Sequence, residues 1–169
     1  MRAEIAGEAF PHLPDAARLW TFGVSRPLEP REEDRLLAVV DAFLEGWRAH
    51  GHPLSADREW RYGRFLLVGV DDSVTPPSGC SIDALVRALG EIEEELGLEI
   101  VGSAPIWYWD QGELHRVSRT VFREEAARGT VTGDMVVFDP SVTRVGELRA
   151  GKWELPADRS WHRRYLPNR

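Results

Sequence analysis

The run Phe65-Leu66-Leu67-Val68-Gly69-Val70 carries no polar side chain over six residues, and Asp71 and Asp72 close it. Successive residues of a strand point to opposite faces. Leu66, Val68 and Val70 therefore share one face, while Phe65 and Leu67 share the other. A strand that is apolar on both faces has to be covered on both. That requirement excludes a sheet with one wet side and demands secondary structure above and below it. Extended upstream, the same period places Trp60 and Tyr62 with Leu66, and Glu59 and Arg61 with Phe65. The segment "DREWRYGRFLLVGVDD" then reads as one long strand, its first half charged and Gly63 marking a bulge.

The neighbouring segments supply the covers. A short strand is expected from Leu19 to Val24. "PREEDRLLAVVDAFLEGWRAHG" predicts a helix from about Pro30 to His50. Proline suits its first position, Glu32, Glu33 and Asp34 oppose its dipole, and Gly51 is a left-handed stop. Ile82, Leu85, Val86, Leu89, Ile92 and Leu96 form the seam of a second helix ended by Gly97. "APIWYWDQGELHRVS" reads as a hairpin turning at Asp110-Gln111-Gly112. A short helix follows from Arg119 to Arg128, then a strand in "GDMVVFD" and a helical turn from Thr143 to Arg149. The tail carries Trp153, Trp161, Tyr165 and Leu166 and is expected to pack down. This order predicts a single α+β domain over residues 19–169, with residues 1–18 as an N-terminal extension. Its sheet is mixed or mostly antiparallel, about five strands packed with three or four helices.

Several function classes fall away on composition. No apolar run reaches the roughly 18 residues of a membrane-spanning helix, and the N-terminus lacks a signal core, so a cytoplasmic location is expected. One cysteine excludes an internal disulfide. A net charge of −7 argues against nucleic-acid binding through a broad basic face. No ligand set for a metal stands out, because the adjacent Asp71 and Asp72 point to opposite faces. Neither a metal nor a cofactor is expected.

The lone cysteine lies in "SGCSID". With Ser81 as helix cap, Cys80 precedes it and packs against Leu85 as a hydrophobic staple. The functional alternative uses the free amides of Gly79, Cys80 and Ser81, with Ser78 nearby and Asp83 opposing, to hold an anion or lower the thiol pKa. A cysteine nucleophile needs a base, for which His115 and His162 are the candidates. "REWRYGR" interleaves Arg58, Arg61 and Arg64 with Trp60 and Tyr62, a pattern suited to an anion or a stacked ring, or to local pairing with Glu59 and Asp57. Trp107 and Trp109 share a face, as a stacking platform or as core. His50 is explained by a helix end. "GELRAGKW", Gly146 to Trp153, imitates a phosphate loop but replaces the magnesium-binding hydroxyl with Trp153.

The chain also resembles a family of short uncharacterised bacterial proteins. The similar segments are W-x-x-H-G at Trp47 to Gly51, Y-x-R-F at Tyr62 to Phe65, and S-G-C-S-I-D at Ser78 to Asp83. V-F-(D/N) at Val137 to Asp139 and S-W-H-x-R-(F/Y)-L at Ser160 to Leu166 complete the set. Some members are labelled ATPase components of ABC transporters, a label this chain's broken phosphate loop does not support. The resemblance implies domain boundaries but no mechanism. The expected function is non-catalytic binding of a small molecule or protein partner around Asp71, Ser78, Gly79, Cys80, Ser81 and Asp83, with Arg61 and Arg64 as further ligand candidates. The alternatives are a cysteine-dependent enzyme using Cys80, and a structural or interaction subunit.

Overall fold

In a computed structural model, residues 8–102 and 105–167 are described. The chain forms β1 (Arg18–Val24), α1 (Pro30–Gly46), β2 (Arg48–Ala49), β3 (His52–Pro53), β4 (Ser55–Arg61), β5 (Phe65–Asp71) and α2 (Gly79–Leu96). It continues through β6 (Ile100–Val101), β7 (Ile106–Asp110), β8 (Glu113–Val117), α3 (Arg119–Ala127), β9 (Val136–Phe138), α4 (Val145–Arg149) and β10 (Glu154–Pro156). Two 3₁₀ turns, Ala157–Arg159 and Trp161–Tyr165, close it.

The α+β expectation holds, and every strand pairing is antiparallel. The strands are divided, however, between two four-stranded sheets, β4-β5-β1-β6 and β10-β9-β7-β8, with β2-β3 as a separate hairpin. The double-faced apolar run of β5 explains why. Leu66, Val68 and Val70 pack with Leu36 and Val40 of α1 and with Leu85, Leu89 and Ile92 of α2. On the opposite face Phe65 and Leu67 meet Trp107, Phe138 and Trp153 of the second sheet. The Phe65 ring lies 4.9 Å from Trp107, 4.6 Å from Phe138 and 5.2 Å from Trp153. The outer face of the second sheet, with Ile106, Tyr108 and Val137, is covered by Phe122 and Ala126 of α3 and by Ala157. Helices, sheet, sheet and helix therefore stack as four layers.

Four expectations need correction. The long strand is a hairpin: Arg61 pairs with Phe65, and residues 62–64 form the loop. Tyr62 (φ 56°) and Gly63 (φ 62°) both adopt left-handed backbone, which reverses the chain instead of bulging it. Tyr62 consequently faces the second sheet, not Leu66; its hydroxyl donates to Glu154 Oε1 at 2.5 Å. Helix α1 ends at Gly46 rather than His50. The residues expected to finish it form the β2–β3 hairpin, with His50 (φ 51°) and Gly51 (φ 80°) at its turn. Helix α2 begins at Gly79, capped by Ser78, whose Oγ accepts from Ser81 N at 3.1 Å.

The last correction concerns the N-terminus. Ala9, Phe10, Leu13 and Ala17 belong to the core between the sheets, so their segment is no extension. Arg149 of α4 fastens it by donating to the carbonyls of Ala9, Phe10 and Leu13. Phe10 N donates in turn to Glu59 Oε1 at 2.7 Å. Among the described residues no helix is long and apolar enough to cross a membrane.

Candidate functional site

The three arginines of "REWRYGR" meet three different fates once the hairpin separates them. Arg58 on β4 makes a bidentate pair with Asp41 of α1, both contacts at 2.7 Å. Arg61 donates twice to Glu59 Oε2, at 2.8 and 2.6 Å. Arg64, the last loop residue, has no carboxylate partner among the described residues. Its Nε donates to Val24 O at 3.1 Å and its Nη2 to Ser25 O at 3.3 Å. The guanidinium lies over the Trp107 ring, 4.9 Å from its centroid.

A second guanidinium shares that ring. Arg116 sits across from Trp107 in the β7–β8 register, 6.0 Å from the same centroid. It also bonds Glu99 at 2.9 Å, on the exposed side. Burial pulls the Arg64 pKa below the usual guanidinium value, and the like charge of Arg116 adds to the effect. Two positive groups thus converge on one indole, with only one of them balanced.

Trp107 also lines a cavity of about 20 Å³, together with Thr21, Gly23, Phe65, Phe138 and Trp153. A cavity of that size accommodates roughly one water or one methyl group. Thr21 Oγ1 is buried there without a hydrogen-bond partner among the described residues. The indole reaches this position because β1 offers glycine: a Cβ on Gly23 would stand 2.5 Å from Trp107 Cζ2. Trp107 itself is buried, so the tryptophans of β7 belong to the core between the sheets.

The corner at the start of α2 has a different character. Asp71 accepts from Ser73 N in a tight turn at 3.0 Å, and Asp72 pairs with Arg144 at 3.2 Å. Cys80 lies in the first turn of α2 and is exposed, so it does not pack against Leu85 as a staple. Ser81 is the buried member: its Oγ donates to Ser78 O at 2.7 Å, and its carbonyl accepts the Trp47 indole N–H at 2.8 Å. Asp83 is exposed.

The two candidate bases are engaged elsewhere. His162 is fully buried, with Nδ1 2.8 Å from Ser160 Oγ and its ring against Trp161. His115 stacks on Tyr108, 5.1 Å between centroids. Neither hydrogen-bonds the Cys80 sulfur among the described residues. Within "GELRAGKW" the helix α4 comes first and Trp153 is buried in the inter-sheet core, the reverse of a strand–loop–helix phosphate site. No group of three His, Cys, Asp or Glu side chains among the described residues is arranged to hold a metal.

Arg116 escaped the sequence reading although its signal was present. A two-residue turn at Gln111-Gly112 fixes the register and places Arg116 opposite Trp107. Fold and site define a four-layer α+β protein with an arginine pair on a buried tryptophan. No protein-family model matches the chain, and no curated protein or solved structure does.

Proposed function

We propose that this protein binds a small anionic ligand without transforming it, and that Arg64, Arg116 and Trp107 form the recognition site. The carrying observation is the contrast within one motif. Arg58 and Arg61 each have a carboxylate at hydrogen-bond distance, while the more constrained Arg64 has none among the described residues. Its two carbonyl bonds and the indole hold the guanidinium plane in place, so the remaining N–H groups are pre-oriented for a carboxylate or phosphate. An anion there removes the repulsion between Arg64 and Arg116. The expected corner at Ser78 to Asp83 is the weaker location, because the Ser78 and Ser81 hydroxyls are already engaged with each other's backbone and Asp83 brings a negative charge that opposes an anion.

Cysteine catalysis gains no comparable support, since neither candidate base is directed at the sulfur. The segments behind the family resemblance also have structural roles that suffice for them. Trp47 and Ser81 form a joint between α1 and α2. Tyr62 turns a hairpin, and Ser160 caps the last 3₁₀ turn by accepting from His162 N.

Titrating ¹⁵N-labelled protein with inorganic phosphate, and separately with acetate, tests the reading. The Trp107 indole signal, assigned through Trp107→Phe, is expected to shift saturably, and Arg64→Met to weaken binding at least about tenfold. No shift with either anion, or an unchanged Arg64→Met titration, rejects the site.

A further inference from the structure

The second sheet's outer layer carries a separate arrangement of arginines. On α3, Arg119 and Arg123 are one helical turn apart and both exposed. On the last 3₁₀ turn, Trp161 and Tyr165 have the same spacing and pack edge to face at 5.6 Å. The two elements meet through Phe122, 5.8 Å from His162 and 6.1 Å from Tyr165. Arg119 then lies over Trp161 at 5.8 Å and Arg123 over Tyr165 at 5.6 Å. Arg164 adds a second guanidinium over Trp161, at 4.9 Å. The result is a two-rung ladder of arginines on rings.

Electrostatic bookkeeping separates this face from the rest of the molecule. None of Arg119, Arg123, Arg128, Arg159, Arg163 and Arg164 forms an ion pair among the described residues. The acids on the same two segments are Glu124, Glu125 and Asp158, and Glu125 is engaged by the Tyr108 hydroxyl at 2.8 Å. Six arginines against three acids give a local +3 in a chain of net −7, so everything else sums to −10. Stacking on a ring fixes a guanidinium plane while leaving its N–H edges free to donate. Arg164 Nε donates to Trp161 O at 3.2 Å, and no rung has a carboxylate acceptor among the described residues.

We propose that this face docks a short acidic peptide segment of a partner protein, whose carboxylates pair with Arg119, Arg123 and Arg164. The occupant is short because the favourable field is local. Salt screens beyond about 8–10 Å, and a polyanion extending past the patch meets the acidic remainder of the surface. That limit disfavours a nucleic-acid strand, whose affinity comes from many successive phosphates. Side-chain carboxylates spaced along a peptide match forks repeated once per helical turn.

Fluorescence anisotropy with a labelled octaglutamate peptide tests the proposal, beside octaglutamine and an eight-residue oligothymidylate. Octaglutamate is expected to bind, to weaken on going from 50 to 300 mM NaCl, and to bind tighter than the oligonucleotide. Arg119→Gln/Arg123→Gln/Arg164→Gln is expected to lose at least about tenfold. The triple lysine variant, which keeps the charge but not the fork, should fall between. Arg64→Met should bind the peptide normally, which separates this face from the anion site. Equal binding by the triple glutamine variant, tighter binding of the oligonucleotide, or no octaglutamate binding overturns the assignment.

Discussion

His162 offers a direct measure of how tightly the last segment is packed. The imidazole has no exposed surface, and Nε2 lacks a partner among the described residues. Burial pushes its pKa down to about 4 from the ordinary 6.5; Asp139 pulls it up, and Arg164 and Arg119 push it down further. The unfolded chain therefore takes up a proton near pH 6.5 that the native state refuses until about pH 4. Stability from this residue is complete above pH 6.5 and is lost as pH falls toward 4. At about 1.4 kcal/mol per unit of full proton difference, the loss reaches about 2 kcal/mol by pH 5 and about 3 kcal/mol by pH 4. The paired carboxylates lose their contribution at lower pH. Glu32, held near 2 by the Arg26 guanidinium, is stabilising above its ordinary 4.5 and loses its effect below that value. Urea unfolding at pH 7.5, 6.5, 5.5 and 5.0 isolates the histidine by comparison with His162→Gln, which keeps an amide beside Ser160. Across that range the wild type should lose about 2 kcal/mol more than the variant. Parallel stability curves for the two proteins would refute the burial argument.

The remaining expectations follow from contacts elsewhere. Gly23→Ala drives a Cβ into the Trp107 ring at 2.5 Å and should destabilise by about 1–3 kcal/mol in thermal or urea melts; an unchanged midpoint contradicts the close approach. Phe10→Ala removes a fully buried ring from the inter-sheet core and should cost about 3–5 kcal/mol, whereas a dispensable extension would show almost none. Cys80 should react with a disulfide reagent in the native protein without global unfolding, and protection until denaturation would contradict its exposure. Ser78→Ala should cost about 1 kcal/mol through loss of the α2 cap, with Ser81→Ala as the comparison for a residue inside the helix.

Periodicity made the elements legible wherever one cause controlled the pattern. The turn at Gln111-Gly112 and the α2 seam of Leu85, Leu89, Ile92 and Leu96 depend on local chemistry and stand where the residues place them, whereas Val86, expected in that seam, is exposed. The β4–β5 hairpin hid because its loop preserves the alternation. Trp60, Tyr62 and Leu66 remain two or four residues apart whether or not the chain reverses, and only the left-handed backbone of Tyr62 and Gly63 separates the cases. The division into two sheets was hidden for a related reason. A strand apolar on both faces states that each face needs a cover, but aliphatic and aromatic side chains serve equally well against a helix or another sheet. Phe10 and Leu13 each stand directly before a proline, Pro11 and Pro14, and carry no period at all. Their segment is fastened by Arg149, more than 130 residues away, which donates to the carbonyls of Ala9, Phe10 and Leu13.

The same loss of information governs the site. Read along one strand, Arg58, Arg61 and Arg64 are equivalent, each within reach of a nearby acid. The reversal at Tyr62 breaks that equivalence. Arg58 meets Asp41 across the sheet face, Arg61 stays beside Glu59, and Arg64 is carried to the end of β1, where carbonyls replace carboxylates. A guanidinium bonded only by carbonyls keeps its full charge, and desolvating it is unfavourable unless another charge compensates. Placing Arg116 on the same indole raises that cost. An anion beside Arg64 would offset that cost, and this ties the turn chemistry of three loop residues to the binding proposed there.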